Sequence, residues 1–235
     1  MSITLVLSYY NQPYDLLQKH VNHWNEFENK ELFDFIIVDD CSKKMKLVHL
    51  IDYIQSKANI RYFEIEDDIK WNLAGSRNLG VSQSKTEWIM LCDMDTIVDK
   101  ECAKEMIKAT KMADNNKYLF RFNRIVPEDH SHEKNHKMHP GLRMLRGQDY
   151  LDVNGCDEDL VGNYGYYTLS LEEHLMAAKG FSLYDLVNAY ILYYPEGDCD
   201  YLDKSNKKNK KKVHHKMETG EWSSDMIRFK WHELL

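Results

Sequence analysis

Proline and glycine are scarce, four and ten in 235 residues, which excludes a collagen-like or linker-rich chain. Cysteine pairs are missing as well. Cys41, Cys92, Cys102, Cys156 and Cys199 form no Cys-x-x-Cys pair, are odd in number and sit in apolar or strand-like contexts. They read as reduced thiols, and the expected compartment is the cytoplasm. No apolar run approaches the roughly 18 residues of a membrane span. Met1-Ser2-Ile3-Thr4 opens without the basic region and cleavable apolar stretch of a signal peptide. Positive charge is also short: 31 Lys and Arg against 38 Asp and Glu give a net charge of −7, whereas a general nucleic-acid binder is basic. What is present suits a folded domain, because 43% hydrophobic residues can build one sizeable core.

The first half alternates short β-branched runs with helical spacing. Ile3 to Ser8, Phe35 to Val38, Ile60 to Ile65 and Trp88 to Cys92 read as buried strands. Leu16, Leu17, His20, Val21 and Trp24 recur at helical spacing, and so do Leu47, Leu50, Ile51 and Ile54. Further helices are expected near Ala74 to Ser82 and over Lys100 to Ala113, with a strand over Tyr118 to Ile125. Strand, helix, strand in repetition implies right-handed crossovers and a mostly parallel α/β sheet flanked by helices. Ligands of such sheets bind beyond the carboxyl ends of the strands. Ser8 to Asn11, Asp39-Asp40 and Asp93 to Asp95 all fall at that edge.

The second half is less regular. Glu128 to Pro140 is polar and reads as a loop, followed by a short strand over Leu142 to Leu145 and a helix starting at Gly147. A helix over Leu169 to Lys179 precedes two strand candidates, Phe181 to Leu186 and Ala189 to Tyr194. Lys204 to Lys216 holds seven lysines and no acid, so residues 201–235 read as a basic loop or tail after one domain of residues 1–200.

Asp93-Met94-Asp95 after a buried strand offers two carboxylates to one hard cation. A divalent ion so held keeps sites open for phosphate oxygens and offsets charge on a departing diphosphate. Asp39 and Asp40 can accept from a ribose or a pyrimidine N–H, or cap the segment that follows. Leu73 to Gly80 can present N–H groups and Arg77 to phosphates, or can be a small-residue helix packed closely on its neighbours. There is no P-loop and no Gly-x-Gly-x-x-Gly.

Four blocks together carry a resemblance: Ser8-Tyr9-Tyr10-Asn11, Val38-Asp39-Asp40-Cys41-Ser42, Ala74 to Gly80, and Leu91-Cys92-Asp93-Met94-Asp95. In that order and spacing they resemble the family-2 glycosyltransferases of the GT-A fold, well to about Asp99 and recognisably to about Phe181. The resemblance implies a nucleotide-diphosphate-sugar donor, a UDP-sugar favoured, a divalent Mn2+ or Mg2+, and inversion at the anomeric carbon. Carried over by position, Ser8 and Asp40 contact the nucleobase, with Tyr10 in the same donor-binding block. Arg77 contacts base or diphosphate, Asp93 ribose or metal, and Asp95 the metal. His214-His215 is placed to supply the C-terminal histidine of some relatives, with His215 as a metal ligand; a solvated basic tail is the alternative reading. A sugar-1-phosphate nucleotidyltransferase needs a glycine-rich, arginine-bearing loop after the first strand, which Ser8 to Gln12 is not.

The acceptor half departs from the family pattern. Asn154 to Leu160 resembles the family's Gly-Gly-Phe-Asp-Glu segment, but Tyr167-Thr168 stands where relatives carry the Glu-Asp that supplies the base. Asp157 or Asp159, before Glu172, are the expected bases, since a base must lie on the acceptor side of the cleft. Glu173 reads as solvated. A non-catalytic sugar-nucleotide-binding protein is the alternative that this departure allows. His130, His132, His136 and His139 have zinc-like spacing without a cysteine, and a flexible acceptor-side loop is the expectation there. The acceptor is a glycan or another hydroxyl; a nucleic acid is disfavoured by the acidic body, though the lysine run can contact phosphates.

Overall fold

The computed structural model describes residues 1–113, 116–127, 137–194 and 204–234. The chain starts with β1 (Ile3–Tyr9), α1 (Tyr14–Trp24), β2 (Phe33–Asp39), β3 (Ile60–Ile65), α2 (Leu73–Ser82) and β4 (Trp88–Asp93). It continues with β5 (Thr96–Ile97), α3 (Lys100–Ala113), β6 (Tyr118–Ile125), β7 (Lys137–Met138), β8 (Arg143–Arg146) and α4 (Gly147–Leu151). The last elements are α5 (Tyr167–Lys179), β9 (Ser182–Tyr193), α6 (Lys207–Thr219) and β10 (Trp231–Glu233). One sheet runs in the order β10-β3-β2-β1-β4-β8-β6-β9-β5, with β7 beside β6. Its long ladders are parallel, across β3-β2-β1-β4 and between β6 and β9; β10, β8, β7 and β5 join antiparallel.

Period-two alternation assigns the two faces. Ile3, Leu5 and Leu7 of β1 pack with Leu17, Val21 and Trp24 of α1 and Met106 of α3. Trp24 stacks on Phe35 of β2 at 4.6 Å between ring centroids. Val6 faces the other way, into a second core with Ala74 and Val81 of α2, Tyr150 of α4, and Leu171 and Leu175 of α5. The α2 helix is the small-residue packing helix of the two readings. A Cβ on Gly80 would sit 2.3 Å from the Val6 side chain, so only glycine lets this helix approach β1.

Three expectations are corrected. Leu47 to Ile54 forms two successive 3-10 turns, Leu47–His49 and Ile51–Tyr53, in place of an α-helix. The run is too short to repay nucleation, and its first N–H, at Leu47, is taken by Asp39 at 2.8 Å. The two strands expected after Phe181 are one, β9, whose pairing with β6 shifts register between Phe122 and Asn123. There the Asn123 side chain donates to the Val187 carbonyl at 2.9 Å. Residues 204–234 are not a tail. Val213 of α6 is fully buried in the second core, and β10 extends the sheet beyond β3. Phe229 packs on α2, 2.4 Å from where a Gly75 Cβ would stand. Among the described residues, no helix is long and apolar enough to cross a membrane.

Candidate active site

Register brings the polar strand ends together. Ser8 is opposite Asp93 in the β1–β4 ladder, and Tyr9 is opposite Asp39 in the β1–β2 ladder. A cleft opens above them in two lobes. The first, of about 280 Å³, is lined by Ser8, Tyr10, Asp40, Asn72, Asp93 and Asp95 among others. The second, of about 590 Å³, is walled by Arg124, His139, Tyr166, Thr168 and Tyr193. Trp71, Tyr164, Asp93 and Asp95 border both. The Trp71 and Tyr164 rings lie 4.8 Å apart at this junction. Trp71 and Tyr166 hold left-handed backbone, at φ 52° and 70°, which costs a non-glycine residue about 1 kcal/mol or more and concentrates at ligand sites.

The two neighbouring acids of β2 have separate tasks. Asp39 is fully buried and accepts from the N–H groups of Ser42 and Leu47, both at 2.8 Å. It is a loop cap and does not face the cleft, so its expected contact with a nucleotide is withdrawn. Asp40 lines the first lobe and accepts from Asn72 Nδ2 at 3.0 Å. Burial, helped by the charge of Asp39, pushes its pKa up to about 7. Ser8 stays at the lobe and accepts a hydrogen bond from Ser76 at 2.8 Å.

Asp93 is held from beneath. Arg77, 1% exposed, donates to Asp93 Oδ1 at 2.7 Å, to the Gly141 carbonyl at 3.1 Å and to Thr168 Oγ1 at 3.0 Å. Burial works against its charge, yet the adjoining Asp93 carboxylate raises its pKa above the ordinary arginine value. Arg77 therefore orients Asp93 through these three bonds, and it also lines the second lobe. Gly141 is needed at this point, since a Cβ would fall 2.7 Å from Asp93 Oδ2. Below Met94, buried His20 of α1 meets the Met94 carbonyl at 3.0 Å through Nε2. Desolvation lowers the His20 pKa to about 4, so the ring is neutral at pH 7, carries its proton on Nε2 and donates. Asp93 and Asp95 supply only oxygen donors, which suits a hard divalent ion that completes its shell with phosphate and water. Among the described residues, no group of three or more His, Cys, Asp or Glu could hold a metal unaided.

The acceptor-side acids stand away from the cleft, and the expected bases are corrected accordingly. Asp157 pairs with Lys216 at 2.8 Å and caps a turn through Asp159 N at 2.9 Å. Asp159 binds Lys216 and Arg228, both at 2.7 Å. Glu172, 8% exposed, is locked to buried Arg143. None of the three lines either lobe. We expect Asp157→Asn, Asp159→Asn and Glu172→Gln to keep kcat and donor affinity within about threefold, with Glu172→Gln losing about 3 kcal/mol of stability as Arg143 is left unpaired. Progress curves and chemical denaturation check both. His215 is 65% exposed on the outer face of α6, 3.9 Å from Glu221, and lines neither lobe, so it is withdrawn as a metal ligand. His139, 5% exposed, accepts from Gly141 N at 3.1 Å, and burial lowers its pKa to about 4. His130, His132 and His136 lie outside the described residues.

Several site residues were not foreseen. Asn72, Gly141 and Thr168 hold the carboxylates and their arginine. Asn209 of α6, fully buried, reaches the carbonyls of Leu160, Asn163 and Gly165 at 2.9–3.0 Å and so fixes the wall of the second lobe. A polar residue on an otherwise inward stripe is the signal that could have found Asn209 and His20.

An α/β sheet thus carries paired carboxylates at its carboxyl edge, beneath a two-lobed cleft, the arrangement that the resemblance of the four sequence blocks implies. The model of glycosyl transferase family 2 matches residues 4–176, and the chain belongs to that family. Solved structures of TarS from S. aureus share the GT-A fold. TarS 1-349 in complex with UDP-GlcNAc superposes with a TM-score of 0.70 at 16% identity, over 93% of this chain and 66% of that one. The same fragment with UDP gives 0.56 at 18%, over 83% and 60%. A longer TarS structure gives 0.61 at 16%, over 93% and 39%. This chain thus spans about two thirds of the TarS fragment. No curated protein matches it significantly.

Proposed function

We propose that this chain transfers a sugar from a nucleotide-diphosphate donor, a UDP-sugar favoured, to an acceptor hydroxyl with inversion. The observation that carries the reading is the meeting of Ser8, Asp40, Asp93 and Asp95 in one lobe that opens into a second at Trp71 and Tyr164. Crystallised TarS complexes with UDP-GlcNAc and UDP support a uridine donor. Asp40 and Ser8 would bind the base, and Asp93 and Asp95 would hold Mn2+ or Mg2+. When bound, the cation offsets the charge of the leaving diphosphate.

This chain's own groups position the rest. Arg77 and Gly141 fix Asp93, and His20 fixes the turn between the two carboxylates. The aromatic junction orders the sugar and excludes water. The acceptor hydroxyl in the second lobe attacks the anomeric carbon opposite the diphosphate. The new C–O bond forms as the bond to the diphosphate oxygen breaks, the electron pair leaves with the nucleoside diphosphate, and the hydroxyl proton passes to water in the open lobe. With Asp157, Asp159 and Glu172 committed to cations, the carboxylates that border the second lobe among the described residues are Asp93 and Asp95. The same observation favours one second reading, a sugar-nucleotide-binding protein without catalysis. Incubation with UDP-GlcNAc, Mn2+ and a mixed-glycan acceptor separates the two. An enzyme accumulates free UDP with time; a binder releases none.

A pH dependence follows from Asp40. As an acceptor for the pyrimidine N–H it must be ionised, and its pKa stands near 7 in the free protein. Affinity for a UDP-sugar should rise about tenfold per pH unit below 7 and level off above it, and Asp40→Asn should remove the slope. The stability sign is opposite. The fold holds this proton more tightly than the unfolded chain does, so Asp40 costs stability progressively from about pH 4 to pH 7. Calorimetric titrations from pH 5.5 to 8.5 check the first, and denaturation midpoints over the same range check the second.

A further inference from the structure

The arginines around the second lobe divide by whether their charge is matched. Arg77 pairs with Asp93, and Arg143 of β8 pairs with Glu172. Arg124 has no such partner. Its guanidinium lies over the Tyr193 ring at 5.0 Å and makes no ion pair or hydrogen bond among the described residues. Lys137 of β7 stands directly opposite Arg124 in the β6–β7 ladder, and like charges so placed destabilise a sheet. Of the two, Arg124 is the one that lines the lobe. A half-buried charge that is unmatched and repelled costs stability without serving the fold.

His139, in the same lobe, adds a second unused donor. Its Nδ1 accepts from Gly141 N at 3.1 Å. A backbone N–H can only donate, so Nδ1 is bare and the ring proton sits on Nε2. That N–H makes no hydrogen bond among the described residues, although His139 is 5% exposed, and an enclosed donor without an acceptor is costly. The Tyr193 ring joins the two donors: its centroid lies 6.0 Å from that of His139, and Arg124 covers its face. Both donors are close to the transfer centre. A Cβ on Gly141 would touch Asp93 Oδ2, at 2.7 Å, and His139 Cε1, at 3.3 Å. The imidazole edge and the Asp93 carboxylate therefore flank one glycine, within the span of a sugar ring.

On the transferase reading above, we propose that Arg124 and His139 bind the carboxylate of an acidic acceptor sugar, a uronic acid whose attacking hydroxyl belongs to the same ring. A carboxylate offers two oxygens in one plane; a guanidinium fork takes one edge and an imidazole N–H a remaining lone pair. Charge selects it over a phosphate monoester. Arg124 is the unmatched cation lining the lobe among the described residues, and a carboxylate brings one negative charge where the monoester brings about two. A phosphodiester brings one as well, but with chain on both sides of it, whereas His139 is enclosed enough to suit a small terminal group.

The test titrates the full chain, with and without UDP and Mg2+, with methyl glucuronide, methyl glucoside and glycerol phosphate, followed by NMR of the isotope-labelled protein. The glucuronide should bind about tenfold more tightly than the glucoside or better, the worth of a hydrogen bond to a charged group. Arg124→Gln should bring the two sugars to equal affinity. It should melt no lower than wild type, because it removes an unmatched charge opposite Lys137. His139→Asn keeps an acceptor for Gly141 N and deletes the Nε2 donor, so it should lose about fivefold for the glucuronide and nothing for the glucoside. His139→Gln, whose amide N–H can stand where Nε2–H stood, should restore part of that loss, which a merely structural role would not do. Equal binding of glucuronide and glucoside by wild type, or an unchanged preference in Arg124→Gln or His139→Asn, would overturn the proposal. Tighter binding of glycerol phosphate than of glucuronide would also overturn it, as would competition between glucuronide and UDP, which places the carboxylate in the donor lobe. If the preference is present and depends on Arg124 while UDP does not bind, the donor reading fails and the carboxylate site stands.

Discussion

Asp95→Ala is expected to lower kcat by at least about a hundredfold and to abolish metal-dependent nucleotide binding while the fold melts normally. Asp95 borders both lobes of the cleft, and the proposed function places there the cation that offsets charge on the leaving diphosphate. Loss of one such electrostatic partner costs about 10²–10³ in rate. Asp93→Ala should be as severe in rate and differ in stability, because it also strips the buried Arg77 of its carboxylate. Nucleotide titrations with Mn2+ and with EDTA, beside thermal melts, separate the two variants. Full activity of Asp95→Ala, or of wild type in excess EDTA, would sink the metal assignment.

Arg77→Met should lower stability by about 3 kcal/mol and nucleotide affinity with it. Breaking a buried ion pair by removing one partner costs about 3–5 kcal/mol, and the lower end applies because Asp93 is 23% exposed and can rehydrate. For a chain of this size that is a fall in Tm of about 6–12 °C. Arg77→Lys should rescue little, since one ammonium cannot reproduce a fork shared among Asp93, Gly141 and Thr168. A direct role on the diphosphate would instead leave Tm unchanged and affect KM alone. Scanning calorimetry on both variants decides between these outcomes.

The strands were legible in the sequence because β1, β2 and β4 are buried on both faces, and continuous apolar runs announce that burial. Topology then carried Ser8, Asp40, Asp93 and Asp95 to one edge without any knowledge of side-chain contacts. What could not be read was which charges are spent on each other. Asp39 and Asp40 are adjacent and alike in sequence, yet one points into a loop and the other into the cleft. Asp157, Asp159 and Glu172 looked available because their partners, Lys216, Arg228 and Arg143, are 29 to 69 positions away or were assigned to a tail. The lysine run concealed α6 because its charge suggests solvent, although Asn209, Val213 and Lys216 at spacings of four and three mark a one-sided helix. Arg77 was legible as an anion-binding side chain in a glycine-rich helix, but its bond to Asp93 was not, because the partner stands 16 positions away.

The most direct test of the account is a thermal-shift comparison of UDP and ADP, each with and without Mn2+. A ligand that binds only the folded state raises the melting point in proportion to its occupancy. The account predicts stabilisation by UDP that exceeds that by ADP, depends on Mn2+ and disappears in Asp95→Ala. Equal or greater stabilisation by ADP, or a UDP shift indifferent to both Mn2+ and Asp95, would contradict it.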